Sequence, residues 1–332
     1  MGYRWVARSA RTNQEHKRNK MMNTPKAVAD ELLALARDKD EIKKALVESG
    51  ADVGEEDGFA SYPDKIRGLK HAGIKIYKSQ QLYQWIDEVL PPAKIDDGYS
   101  SGDLSWSFAR CPNLTSIPSI EGIERAVKME SFMQESPKVR MLSLPNMPNM
   151  TNAKQIANKA IGAEEVKIGA MPLVTTMYYS FAECTSLKTA SLGDAPAVTN
   201  VFALFYACPK LTRVKLSMSG GLISDVQYMF DKCASLEEVE GIIHLADGAN
   251  VSNFLTGCAK LREIRVKGIS KSLVAFESTN LSLESARYLI NEARTVTGQT
   301  IHLPQKLVDD HEDEMTRLGE SASAKGWTIS YR

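Results

Sequence analysis

A length of 332 residues corresponds to about two ordinary domains. Forty-one basic and 41 acidic residues cancel, which excludes a global field drawing the whole molecule to nucleic acid. No stretch approaches the ~20 consecutive apolar residues of a membrane-spanning helix.

Residues 1–22 form a basic extension. Arg4, Arg8, Arg11, Lys17, Arg18 and Lys20 stand against Glu15 alone in the first 20 residues, a local charge of +5. Two readings stand: an arm for nucleic acid or an acidic partner, and a solvated extension without a partner. Met21 and Met22 are alternative starts. The basic start lacks the roughly 7 to 15 apolar residues of a secretory signal, so the expectation is a chain made in the cytosol.

Residues 23–72 read as a small helical module for attachment or oligomerisation. Thr24 before Pro25 is a good helix start, because the hydroxyl caps free amides and proline tolerates the first turn. Val28, Leu32 and Leu35 form an apolar stripe. Asp38 with Glu41 forms a capping box for a second helix that carries Ile42 and Leu46 and ends at Gly50. The same apolar residues also fit one heptad seam with Lys39 at a core position, a short coiled coil that would set an oligomeric state. From Asp40 to Leu69 the chain resembles a motif common in structural proteins of tailed bacteriophages, an EIKxAL helix followed by a second helix that Phe59, Tyr62, Lys65 and Ile66 match. Attachment to a virion is what that resemblance implies; a plain helical cap is the alternative. Residues 73–103, irregular and holding Pro91, Pro92 and Gly98, read as a linker and N-terminal cap, with LYQWIDEVL from Leu82 compatible with a short helix.

Residues 104–270 repeat. Cys111, Cys184, Cys208, Cys233 and Cys258 are separated by 73, 24, 25 and 25 residues, and 73 is three periods. FAECTSLKTASL from Phe181, FYACPKLTRVKL from Phe205 and FDKCASLEEVEG from Phe230 share FxxCxxLxxVxL, and four weaker units complete seven coils. The first column holds Phe108, Met133, Ala157, Phe181, Phe205, Phe230 and Leu255, and the cysteine column adds Ser136 and Ala160. Two further columns are Leu114, Val139, Ala163, Leu187, Leu211, Leu236, Leu261 and Ile117, Leu142, Val166, Ala190, Val214, Val239, Ile264. The last part of each unit alternates with period two, which predicts one short strand per coil, stacked in parallel at about 4.8 Å into a curved sheet roughly 30 to 35 Å long. Coil three, with Ala157, Ala160 and Ala163, predicts either a cavity or a closer backbone approach. An odd number of cysteines at an inward position predicts reduced, buried thiols that act as small hydrophobes. These units resemble the BspA-like leucine-rich repeat proteins, which carry an aromatic, a small residue or cysteine, and a leucine; the implied fold is an α/β repeat, a leucine-rich-repeat solenoid.

Two exposed strand columns follow from the alternation. One holds Pro118, Ser143, Lys167, Ser191, Lys215, Glu240 and Arg265; the other Ser116, Met141, Glu165, Thr189, Arg213, Glu238 and Glu263. Such a mixed polar face suits protein or glycan contact and equally suits solvent. Lys167, Ser191, Arg213, Lys215, Glu240 and Arg265 are therefore the candidate ligand residues, with Tyr178, Tyr179, Tyr206 and Tyr228, which together with Phe202 supply stacking area in three successive coils or pack at the core edge.

Residues 271–332 read as helix, strand, helix and strand, an atypical α/β cap that covers the last coil. This text also resembles the closing module of repeat proteins from phages and gut bacteria, with Gly326, Trp327 and Ile329 matching. His16, His71, His244, His302 and His311 are scattered with no metal or triad spacing, no CxxC or CxxH pair exists, and Gly220–Gly221 lacks the lysine of a phosphate loop. The carboxylate run Asp309 to Glu314 lacks the alternation of a calcium loop and reads as a solvated helix face. No catalytic, cofactor or metal residue is expected. The resemblances imply a non-enzymatic phage virion protein, head or tail fibre-like, whose repeats contact host surface protein or glycan and whose N-terminal module holds other virion proteins or further copies. The alternative is a bacterial BspA-like adhesin or scaffold at the cell surface.

Overall fold

A computed structural model describes residues 102–332 except 219, and the backbone of two short strands before them, β1 (Ile74–Lys75) and β2 (Ala93–Lys94). The basic extension, the helical module of residues 23–72 and the rest of residues 73–101 lie outside the described residues. All that follows belongs to the compact unit Gly73–Arg332.

The chain is α/β with a parallel sheet of many short strands and few helices. β3 (Ile120–Glu121) pairs in parallel with β2, and β2 with β1. The main sheet contains β4 (Met141–Leu144), β5 (Glu165–Ile168), β6 (Thr189–Asp194), β7 (Arg213–Ser217), β8 (Ile223–Asp225), β9 (Glu238–Asn250) and β10 (Glu263–Lys267). Its order is β10-β9-β7-β6-β5-β4, every pair parallel, with β8 beside β9. Leu142, Val166, Ala190, Val214 and Val239 are successive register partners, as the repeat predicted, and each is at most 3% exposed.

Coil one departs from the expectation. Ile117 is half-buried and the strand of this coil falls at Ile120–Glu121, three residues later. Pro118 has no N–H to give a ladder, so the segment predicted as strand cannot pair there.

The wall that precedes each strand is a second ladder, made of turns. In coil one Leu104, Trp106, Phe108 and Arg110 donate their N–H groups to the carbonyls of Lys128, Glu130, Phe132 and Gln134 of the next coil, at 2.8 to 2.9 Å. Coils two to six repeat the pattern; in coil four Met177, Tyr179, Phe181 and Glu183 donate to Asn200, Phe202, Leu204 and Tyr206. This geometry needs two left-handed residues per turn segment, such as Tyr179 (φ 55) and Glu183 (φ 59), and 13 non-glycine residues among those described have positive φ. Each costs about 1 to 2 kcal/mol, offset by the N–H that it aims at the next coil. An Asx or hydroxyl column starts the turns: Asp103, Asn152, Thr176, Asn200, Asp225 and Asn250 each accept the N–H two residues on.

Between the two ladders lies the core. Phe181 and Phe205 stack at 5.4 Å and 21°, Phe205 and Phe230 at 5.7 Å and 4°. In coils two and seven the ring moves one position earlier, to Phe132 and Phe254, which meet Phe108 and Phe230 at 5.1 and 6.0 Å. Ala157, Ala160 and Ala163 are wholly buried. Beside them a Cβ on Gly162 would lie 2.1 Å from the Pro137 carbonyl oxygen, so no larger side chain fits at that position.

All five cysteines are free and buried. They do more than fill space. The thiols of Cys184, Cys208, Cys233 and Cys258 each donate, at 3.1 Å, to the carbonyl of the first-column residue one coil earlier: Ala157, Phe181, Phe205 and Phe230. Ser136 makes the same bond to Phe108 O at 2.6 Å, which explains a serine in a column of thiols.

The C-terminal segment follows the predicted order: α1 (Leu283–Asn291), β11 (Gln299–Leu303), α2 (Gln305–Ala324) and β12 (Trp327–Tyr331). β11 and β12 are parallel partners, and Ile301 bridges Leu273. Ser282 caps α1 through Ser285 N–H, and both hydroxyls donate to Glu263 on β10, so the helix start is tied to the last strand of the main sheet. Lys325 donates to the carbonyls of Ile290, Asn291 and Ala293, favourable charge at the end of α1. Trp327 Nε1 donates to Arg294 O at 2.7 Å, and Arg294 donates to the Gly268 and Leu245 carbonyls. Gly326 (φ 81) is required here, since a Cβ would lie 1.9 Å from Val296 O.

Candidate ligand surface

The strand wall presents a linear column. Ser143, Lys167, Ser191, Lys215 and Glu240 are successive register partners, as the repeat predicted, and all but the half-buried Ser191 are exposed. Arg265 leaves the column. A bulge between Ile264 and Arg265 sets Arg265 opposite Ile242, because β9 carries extra residues at Gly241 (φ 106), whose backbone lies against the Leu216 carbonyl.

Each of the four candidate cations of this wall has a carboxylate beside it. Lys167 meets Glu165 at 2.6 Å, Arg213 meets Glu238 at 2.8 Å, Lys215 meets Glu240 at 2.7 Å and Arg265 meets Glu284 at 2.9 Å. The Arg213 and Lys215 pairs join register partners on β7 and β9. Near the start of the strands Lys188 and Arg140 flank Glu164 and hold its carboxyl below the usual range, the Lys188 hydrogen bond first. Since most of these groups are open to water, solvent screening leaves each pair a weak contributor to stability. Replacing Lys215 by Ala therefore shifts urea-unfolding stability by less than about 1 kcal/mol, and less again in high salt; a larger loss would mean that the pair orders the sheet.

The tyrosines lie on the other ladder. Tyr178, Tyr179, Phe202, Tyr206 and Tyr228 belong to the turn segments of coils four to six, so the predicted residues form two surfaces on two walls. Tyr178 stacks on Phe202 at 5.1 Å and 17°, Phe202 meets Tyr228 edge-on at 5.6 Å, and Tyr228 meets Tyr206 edge-on at 6.2 Å. Tyr179 closes the group at 4.7 Å from Tyr178. Tyr178 is 38% exposed and the other four are half-buried. Lys232, absent from the sequence-derived set, donates to the Tyr206 hydroxyl at 2.7 Å with its ammonium 4.8 Å from the ring centre. Burial raises the Tyr179 phenol above its ordinary value, with Tyr178, Tyr206 and Glu183 adding to the shift.

No family model matches the chain, and no curated protein matches it. Among the described residues no group of three His, Cys, Asp or Glu side chains is placed to hold a metal ion, and no helix is long and apolar enough to cross a membrane. Asp309, Asp310, His311, Glu312 and Asp313 are exposed on α2, which leaves helical geometry at His311. His302 Nδ1 is 3.9 Å from Glu277 and makes no hydrogen bond.

Two features escaped the sequence reading. The Asx column was visible as polar residues at the 24 to 25 residue period, a signal obscured by Lys128, which takes its place in coil two. The left-handed positions had no signal, for Trp, Arg, Ser, Glu, Gln, Lys, Tyr and Ala all occupy them.

Proposed function

We propose that this chain is a non-enzymatic virion protein of a tailed phage whose repeat region, a BspA-like leucine-rich-repeat solenoid, contacts host surface protein or glycan. The blade half of this reading is carried by one observation, the unbroken register from Ser143 to Glu240, because like positions repeated coil by coil make a long surface suited to an extended ligand. The virion half is supported by the resemblance of Asp40 to Leu69 to phage structural proteins. Residues 23–72 then serve as the segment that docks on other virion proteins or on further copies of the chain.

Mass spectrometry of phage particles banded twice in a density gradient tests this. Peptides of the chain are expected at a constant ratio to the major capsid protein. Their recovery only from the envelope of uninfected cells would sink the virion reading in favour of a bacterial adhesin or scaffold.

A further inference from the structure

The small sheet of β11 and β12 has an open side. Among the described residues β12 pairs only with β11, while β11 is bridged on its far side through Ile301 to Leu273. Arg332, just past β12, donates its N–H to Leu303 O at 3.2 Å and accepts the Gln305 N–H at 2.9 Å, so both of its backbone groups turn toward β11. Along a strand that direction alternates. Ser330 and Thr328 therefore face β11 as well, and Ile329 and Tyr331 turn their N–H and C=O groups to the open side, where no described group meets them. Trp327, Thr328, Ile329, Ser330 and Tyr331 favour extended backbone, and none is the proline or lysine that blunts an edge against pairing.

Beside this edge α2 forms one wall of a groove of about 370 Å³, lined by Val308, Glu312, Met315 and Gly319 of the helix and by Ile329 and Tyr331 of the strand. Met315 is buried at its floor. Glu312 is exposed, and its carboxylate meets no cation or donor among the described residues. Gly319 opens the middle of the groove: a Cβ there would have nothing within 4 Å, so no packing inside the chain asks for glycine at a position where it weakens a helix. The helix as a whole is acidic, with Asp309, Asp310, Glu312, Asp313, Glu314 and Glu320 against Lys306 and Arg317.

Unpaired N–H and C=O groups on an edge are met by another extended backbone, which offers both in alternation and sends every second side chain toward the groove. Apolar side chains fit over Met315 and Ile329, and a lysine or arginine reaches Glu312. A second copy fits less well. Two β12 edges joined antiparallel about a twofold axis would set α2 beside α2 on one face of the sheet, acid against acid.

We propose that the groove between α2 and the open edge of β12 binds an extended basic segment of a partner protein, which adds to the sheet as a strand beside β12. This site goes beyond the blade reading and uses neither of the two walls of the repeats.

Fluorescence anisotropy with the full chain reads the binding of labelled octapeptides that alternate lysine or arginine with valine, isoleucine, leucine or threonine. Glutamate counterparts and decaproline, which has no N–H, run alongside. At least one basic octapeptide binds and neither control does. N-methylation of one alternate set of its amides abolishes binding while methylation of the other set leaves it, because an added strand gives only every second N–H to its neighbour. Gly319→Leu puts a side chain into the open space and lowers affinity at least roughly tenfold, with the thermal midpoint of unfolding within a few degrees of wild type. Glu312→Gln lowers it about two- to fivefold, and the difference fades in high salt. The site is overturned if no basic octapeptide binds, if the glutamate peptides or decaproline bind as well, if the two methylated sets behave alike, or if Gly319→Leu binds as wild type does. A dimer in light scattering that Gly319→Leu dissolves overturns it in favour of a second copy.

Discussion

Raising the pH from about 9 toward 12 unfolds the repeat region, and thiol ionisation accompanies the unfolding. Burial pushes the thiols of Cys111, Cys184 and Cys233 from 9.0 up to about 12. Those of Cys208 and Cys258 rise too, by burial first and then by the neighbouring thiols. In the unfolded chain the same groups lose their protons near 9. Between these values the unfolded state binds fewer protons than the folded one, so stability falls as pH rises. The contribution is fully present below about pH 9 and is lost through the window up to about 12. Each thiol contributes on the order of 1 kcal/mol per pH unit. Five acting together are large against a total stability of about 5 to 15 kcal/mol. Circular dichroism and thiolate absorbance followed over one titration check this, and their transitions coincide. Cys184→Ser/Cys208→Ser/Cys233→Ser moves the midpoint to higher pH, since serine keeps the donor, as Ser136 does, and does not ionise. Thiolate appearing near pH 9 in a still-folded protein would contradict the buried column.

Phe205→Ala costs about 3 to 5 kcal/mol, the range for emptying a filled aromatic site. Phe205 has no exposed surface and sits between Phe181 and Phe230 in the centre of the stack, so neither neighbour collapses into the space without breaking its own contact. Where each coil pairs only with its neighbours the loss is local first. Hydrogen exchange therefore quickens at the Phe205 and Ala207 amides, which bond Met229 and Asp231, before it quickens in β11 and β12. Urea unfolding gives the total. A cost below about 1 kcal/mol would show that the stack is not the central support of the core, and Phe205→Leu is the milder control.

Much of this architecture was legible in particular residues. Leu142, Val166, Ala190, Val214 and Val239 recur at one period with alternation around them, and a period together with alternation leaves only a stack of parallel strands as a way to bury them. The C-terminal order was legible for a similar reason: Leu289, Ile290, Leu307, Met315 and Leu318 lie at helical spacing, while Ile301, Leu303 and Trp327 alternate with polar residues. The candidate surface was legible only as composition. Lys167 and Lys215 in one column and Arg213 in the other look basic, and only the register sets Glu238 beside Arg213 and Glu240 beside Lys215.

By itself, then, the amino-acid order determined the period, the buried columns, the strand position in coils two to six and the reduced state expected of the cysteines, because burial pattern is a local property that repeats. The tertiary structure alone decided that the second wall is a ladder of left-handed turns. It also decided that the cysteine column supplies donors to the preceding coil, and that the tyrosines and the paired lysines occupy different walls. Each of these depends on which carbonyl or carboxylate the neighbouring coil brings within about 3 Å, a distance set by stacking and written in neither coil alone.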